Sequence, residues 1–292
     1  DGGPSVGESV LTRGLWYAIG VWVKDAPGIA KVLVDWMTDG VAEMDFNGID
    51  TARHYPIQKT PTYIHDRCYE SAFKIYNPAV HNREPYSKGR GLRRSPFWAR
   101  EQELGGYFME LAGWERAPGY AANEHLLEKY GERVPLREHE WDNRHFCRVA
   151  NAEHLEMSEN AGMINLSHFA VYDIIGPDAE ALMEFACTAK VGGDTPIGKG
   201  VYTHFLDKRG GVRADLTVIR HGKDRFRVID GADAGHRDYI WLKRMAEDNG
   251  WQVYIDDRSD HMACLGVWGP NARKIIQAVA DDPAAWEDEN YL

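Results

Sequence analysis

The chain has 292 residues, 43% of them hydrophobic and 27% charged, enough for one large core or two smaller ones. Its net charge of −11 disfavours a nucleic-acid binder, which needs a broad basic face, and no apolar run reaches the length of a membrane span. Cys68, Cys147, Cys187 and Cys264 lie far apart with no CxxC pair, so they read as isolated thiols of a reducing compartment, not as a disulfide framework or a zinc site.

The opening stretch DGGPSVGESV does not read as a signal peptide. Residues 15–23, LWYAIGVWV, predict a buried strand. After the loop KDAPG, Ile29, Leu33, Trp36 and Met37 recur at helical spacing, with Gly40 as a stop. This strand–loop–helix presents backbone N–H groups near Pro27, Gly28 and Ile29. Such a helix start favours negative charge on a ligand, although many α/β proteins contain one.

From about residue 45 to 145 the chain is rich in Tyr, Trp, Pro, Arg and His, with little clean periodicity. One helix is predicted from Pro96 to about Leu111, with Phe97, Leu104, Phe108 and Leu111 as its apolar stripe and Gly113 as its stop. Arg83, Lys88, Arg90, Arg93 and Arg94 crowd one segment. They read as structural ion pairs first and as an anion site second. His65 and Cys68 have ligand-like spacing, but no second pair completes a metal site.

Beyond residue 148 the pattern is cleaner. IIGPDAEALMEF (174–185) and VWGPNARKIIQA (267–278) share one plan of strand end, Gly-Pro and helix. Proline suits a helix start, where its missing N–H has no partner to lose. Between them lie a strand at 212–220, a turn at HGKD and a second strand FRVI, together a hairpin. A helix from His236 to Asn249 stops at Gly250, and WQVYI alternates as a further strand. The expectation is an α+β domain with helices on a mainly antiparallel sheet, both Gly-Pro helices packing on that one sheet by pseudo-symmetry. In GGVRADLTV, Val212, Ala214, Leu216 and Val218 alternate with Arg213, Asp215 and Thr217. By pattern alone Asp215 is a solvated carboxylate on the open face of a strand.

AGMINLSHFAVYDIIGPDAEAL followed by GKGVYTHFLDKRGGVRADLTVIR resembles the start of the aminomethyltransferase fold of the glycine-cleavage T-protein. Upstream, YNPAVHNREPYSKGRGLRRSPFWAREQELGGYFMELAGWER looks like the linker region of the dimethylglycine and sarcosine dehydrogenases. LWYAIGVWVKDAPGIAKVLVDWM is similar to the closing strand and helix of their flavin domain. Together these motifs resemble the dimethylglycine/sarcosine dehydrogenase-like family, whose members fuse a flavin amine oxidase to a folate-binding T-protein-like domain.

The resemblance implies three parts: a partial flavin-domain edge over 1–45, a linker region over 46–147 and a partial folate-binding domain over 148–292. It implies FAD and tetrahydrofolate as cofactors and an N-methylated amine as substrate. The amine is oxidised at the flavin, and folate intercepts the iminium to give 5,10-methylenetetrahydrofolate. Asp215 matches the family's acidic residue beside the pteridine. Tyr202, Thr217, Ser167 and His168 are the further folate-side candidates, and Pro27, Gly28 and Ile29 the FAD-side ones. Departures from the pattern point to an internal piece of a longer enzyme: no GxGxxG stands in the chain, Pro27-Gly28 replaces paired glycines, and the family's Gly-Tyr-Thr-Gly-Glu stretch is absent. The resemblance then places the missing flavin portion in the parent chain or a partner chain, with an oligomer as a further expectation, in bacterial cytoplasm or the mitochondrial matrix. Two other readings stay open: a flavin-independent folate-dependent aminomethyl- or methyltransferase, and a non-catalytic folate-binding module.

Overall fold

The computed structural model describes residues 3–81 and 83–290. In chain order its elements are β1 (Ser5–Glu8), β2 (Trp16–Ile19), α1 (Ala26–Asp39), α2 (Pro61–Tyr76), α3 (Trp98–Glu103), β3 (Met109–Leu111), β4 (Trp114–Arg116), α4 (Leu126–Tyr130), α5 (Glu140–Asn143), α6 (Arg148–Glu159), β5 (Gly162–Asn165), β6 (Ala170–Ile175), α7 (Ala179–Ala186), β7 (Gly200–Leu206), β8 (Val212–Arg220), β9 (Arg225–Asp230), α8 (Gly235–Asn249), β10 (Tyr254–Asp257), β11 (Leu265–Trp268) and α9 (Ala272–Val279). They form two compact units, each built from two stretches of chain: residues 1–64 with 169–262, and residues 65–168 with 263–292. Among the described residues no helix is long and apolar enough to cross a membrane.

The first unit holds a five-stranded antiparallel sheet in the order β10-β6-β9-β8-β7. The period-two pattern turns Ala214, Leu216, Val218, Phe205, Phe226, Val228, Tyr172 and Ile174 to one face, where they are buried with Leu182 and Met183 of α7 and Leu242 of α8. α8 ends at Gly250 in the left-handed conformation, as the sequence predicts. Two expectations change here. The strand expected over 15–23 is only the four residues of β2, because the chain turns at Gly20 and the amides of Asp25 and Ala26 donate to the Trp22 carbonyl. Arg213 is also not on the open face with Asp215. Leu206 pairs with Val212 and Phe205 with Ala214, so Arg213 is the extra residue of a β-bulge. Its side chain is 15% exposed and its Nε donates to Asp238 Oδ1 of α8 at 3.0 Å.

In the second unit the helix expected from Pro96 to Leu111 is α3 alone. Gly105, with φ of +70°, turns the chain after Leu104, and the next residues enter a hairpin. There β3 and β4 pair across Ala112 and Gly113, both with positive φ, the backbone that suits the twist of a two-residue hairpin turn. Gly113 is thus a turn residue rather than a helix stop. The basic segment is consumed structurally: Arg90 pairs with Glu115, Arg93 lies over the Trp114 ring and Arg94 over the Trp98 ring.

Both Gly-Pro units are strand-then-helix, as expected, but they do not share a sheet. β6 and α7 belong to the five-stranded sheet, while β11 pairs only with β5 in a separate two-stranded one. β10 pairs with β6, and β5 with β11. Each motif strand therefore takes as partner the strand that precedes the other copy. Gly176 and Gly269 open the two motifs with φ of +144° and +109°. A Cβ there would run into the carbonyl oxygens of Gln252 and Met157 respectively, so glycine is required twice for the same reason.

Candidate functional site

β7 and β8 of the first unit carry the main candidate. Register places Tyr202 opposite Thr217 and His204 opposite Asp215, so all four side chains belong to the open face of the sheet. The Tyr202 hydroxyl donates to Asp215 Oδ2 at 3.1 Å, and the Tyr202 and His204 rings meet edge-on at 5.2 Å. The hydrogen bond to Asp215 pushes the Tyr202 phenol above its ordinary range. Tyr202 is 63% exposed and Asp215 is exposed, whereas Thr217 is half-buried. The loop before β8 is fixed by Asp207. Its Oδ1 accepts from the amides of Arg209 and Gly211, each at 2.8 Å, and Gly210 takes φ of +84° between them. The paired glycines thus build the hairpin turn that aims β8. His204 was not singled out from the sequence, although the alternation in GVYTHFL puts it on the Tyr202 face.

Ser167 and His168 belong to the second unit, so the folate-side candidates divide between the two units. Ser167 is buried, and its hydroxyl oxygen accepts from the Cys264 amide at 3.1 Å. That hydrogen bond is structural. His168 lines a cavity of about 580 Å³ together with Ser95, Glu101, Tyr120, Glu153 and Asn165. Burial first, and the Arg116 charge second, hold the His168 imidazole down to about 4, so it is neutral at physiological pH. Glu101 accepts from the Tyr120 hydroxyl at 2.7 Å and from Asn165 Nδ2 at 3.0 Å. The same amide also donates to Ser95 Oγ at 2.7 Å. Glu153 Oε1 accepts from Asn123 Nδ2 at 2.7 Å and from the Tyr120 amide at 3.2 Å. Burial pushes the Glu153 carboxyl up. The sequence reading missed this group, whose members lie up to 70 residues apart on one hydrogen bond.

Pro27, Gly28 and Ile29 occupy the first turn of α1 in the first unit. Pro27 has no N–H, and the Ile29 amide donates to the Asp25 carbonyl at 3.0 Å. Of the three, Gly28 keeps an amide that can face a ligand. It borders an open hollow of about 580 Å³ with Ile29, Lys24, Lys31, Phe46 and Ile49. A Cβ on Gly28 would meet nothing within 4 Å. Among the described residues no group of three or more His, Cys, Asp or Glu side chains is placed to hold a metal ion.

Comparison with known proteins gives two family matches along the chain. Residues 97–292 match the GCVT N-terminal domain, and residues 39–95 match the FAD dependent oxidoreductase central domain. The chain is 33% identical over 293 residues to the 4-methylaminobutanoate oxidase (formaldehyde-forming) of Paenarthrobacter nicotinovorans, covering 99% of this chain and 34% of that one. It is 27% identical over 281 residues to the mitochondrial dimethylglycine dehydrogenase of Rattus norvegicus, covering 96% of this chain and 31% of that one. An aminomethyltransferase of Paraburkholderia phymatum is 28% identical over 187 residues, covering 64% of this chain and 43% of that one. The chain spans about a third of the length of the first two relatives.

Proposed function

We propose, since the chain belongs to the GCVT N-terminal domain family, that the open face of β7 and β8 holds a reduced folate in a larger FAD-linked enzyme that demethylates an N-methylated amine. The observation that carries this reading is Asp215. One of its oxygens is held by Tyr202, while Oδ1 has no protein partner among the described residues and faces outward from a rigid strand. A carboxylate so placed suits the N–H groups of a reduced folate. The resemblance, which aligns Asp215 with the family's acidic residue beside the pteridine, supports the same reading.

Bound tetrahydrofolate supplies the nitrogen that captures the one-carbon unit, and bound FAD the hydride acceptor for amine oxidation. Asp215 orients that nitrogen through its free oxygen and can take the proton released on capture. Tyr202 fixes the carboxylate rotamer, and Thr217 offers a hydroxyl on the same face. On the flavin side the fit is narrower. Gly28 alone contributes an amide at the α1 start, where the helix dipole would favour negative charge on a ring edge. The match of residues 39–95 to an oxidoreductase domain favours this reading over a flavin-independent aminomethyltransferase. The domain division at 45 and 147 remains part of the proposal.

The test is Asp215→Asn in the full-length enzyme, assayed at saturating folate. Amine-dependent flavin reduction should persist, while the ratio of methylenetetrahydrofolate to free formaldehyde falls. An unchanged ratio would return Asp215 to a solvated carboxylate.

A further inference from the structure

α2 is amphipathic in the inverted sense. Over residues 65–76, which belong to the second unit, its buried side chains are polar: Arg67, Glu70 and Ser71. Arg67 pairs with buried Glu110 at 2.7 Å. Glu70 accepts from the amides of Ser87 and Lys88 at 2.7 and 2.8 Å, and Ser71 Oγ lies 3.2 Å from the Tyr86 hydroxyl. The opposite face carries Cys68, Tyr69, Ala72, Phe73 and Tyr76, spaced three and four residues apart so that they form one stripe. Tyr69, Phe73 and Tyr76 are 67%, 60% and 75% exposed. Single exposed apolar residues are ordinary, but three large rings on one helix face make a contiguous patch of the kind that marks an interaction surface.

The two family matches point to what covers this face. α2 lies wholly within residues 39–95, the stretch that matches the central domain of an FAD dependent oxidoreductase, yet Arg67 ties its inner face to Glu110 of the GCVT-matched stretch. A helix buries its apolar stripe in the core of the domain it is built for. Here the stripe lies on the side opposite that ion pair, and residues 39–95 are too few to supply a core of their own. The flavin-linked relatives are about three times the length of this chain, so most of such an oxidoreductase lies outside it. We propose that the Tyr69–Phe73–Tyr76 face of α2 is the docking surface for the FAD-binding portion of the larger enzyme. The proposal rests on the FAD-linked reading above and is independent of Asp215. A second copy of the chain would bury the stripe equally, but would leave unexplained why it stands in the oxidoreductase-matched segment.

The test uses the full-length enzyme carrying p-benzoylphenylalanine at Ala72, an exposed position in the middle of the stripe. After irradiation the cross-linked peptide should come from the FAD-binding portion, outside residues 1–292. A cross-link within residues 1–292, from the same or a second copy, overturns the proposal, and so does the absence of any cross-link. Cys68, an exposed free thiol on the same face, gives a second readout on the unaltered enzyme. Its alkylation by iodoacetamide, followed by peptide mass, should be at least about tenfold slower in the native full-length enzyme than in urea, and independent of enzyme concentration, because attack needs an accessible thiolate. Alkylation as fast as in urea would leave the face open and overturn the proposal. Protection that appears only as concentration rises would assign the face to a second copy and overturn it too. If the enzyme altered at Ala72 fails to fold, Cys68 decides alone. A full-length protein that binds no flavin would remove the FAD-linked reading itself, whereas a flavin-loaded enzyme with an open Cys68 would remove only the docking surface.

Discussion

Arg213 turns away from Asp215, its neighbour two positions along β8, and gives its guanidinium to Asp238 of α8 at 3.0 Å. Asp238 is fully buried and also accepts from Arg237 Nε and NH2 at 3.0 and 2.9 Å. One carboxylate thus compensates two buried arginines, one from the sheet and one from the helix. Removing its charge leaves Arg237 without its ion pair and Arg213 with only Asp50 Oδ2, at 3.9 Å. Asp238→Asn should cost about 3–5 kcal/mol of stability, read from the urea midpoint, whereas exposed Asp248→Asn should change it little.

The same region contains a proton-linked group. Asp230 accepts from the Tyr172 hydroxyl at 3.0 Å, and burial, followed by the charge of Asp238, pushes its carboxyl up to about 8. A carboxyl raised on folding binds more protons in the native than in the unfolded state between its two pKa values. Stability therefore falls as pH rises from about 4 towards 8, by at most about 1.4 kcal/mol per pH unit from this group. Urea midpoints measured from pH 5 to 9 should decline accordingly. Asp230→Asn should flatten that decline, and an equally steep decline in the variant would remove Asp230 as its source.

Tyr202→Phe removes the hydroxyl that holds Asp215 Oδ2 and leaves the carboxylate charged. Folate affinity in the full-length enzyme should weaken by up to about tenfold through lost positioning, a smaller effect than loss of the Asp215 charge. An effect equal to that of Asp215→Asn would assign the tyrosine a larger part than orientation.

Ala112 holds φ of +52° in the β3–β4 turn, a conformation that costs an L-residue with a Cβ roughly 1–2 kcal/mol. Ala112→Gly relieves this and adds unfolded-state entropy of about 0.5–1 kcal/mol against it. The net expectation is a small rise in thermal midpoint. A fall would show that the alanine methyl contributes packing that outweighs the strain.

Local patterns were legible wherever one face of an element is apolar. The alternation Val212, Ala214, Leu216, Val218 defined β8, and the Gly-Pro starts defined α7 and α9 at Ala179 and Ala272. α2 was not legible because its pattern is inverted. Its buried residues include Arg67, Glu70 and Ser71, while Tyr69, Phe73 and Tyr76 are exposed. Arg67 pairs with buried Glu110 at 2.7 Å, and Glu70 accepts from the amides of Ser87 and Lys88. A helix whose inner face is polar shows no hydrophobic stripe, so its signal vanishes into the surrounding polar sequence.

The sequence by itself determined the composition class, the hairpin that carries Asp215, the two strand–Gly-Pro–helix units and the family resemblance, because each rests on short-range periodicity or on contiguous motifs. Tertiary structure alone decided what those elements meet. Strand pairing joins residues far apart in the chain, so only the fold could assign the two Gly-Pro units to different sheets. The bulge that sends Arg213 to Asp238 depends on a register offset between β7 and β8, which alternation cannot reveal. The Glu101–Asn165 and Glu153–Asn123 contacts arise from closure of the second unit around its cavity. Burial of those carboxylates, and hence their chemistry, is a property of that closure and not of any local stretch of sequence.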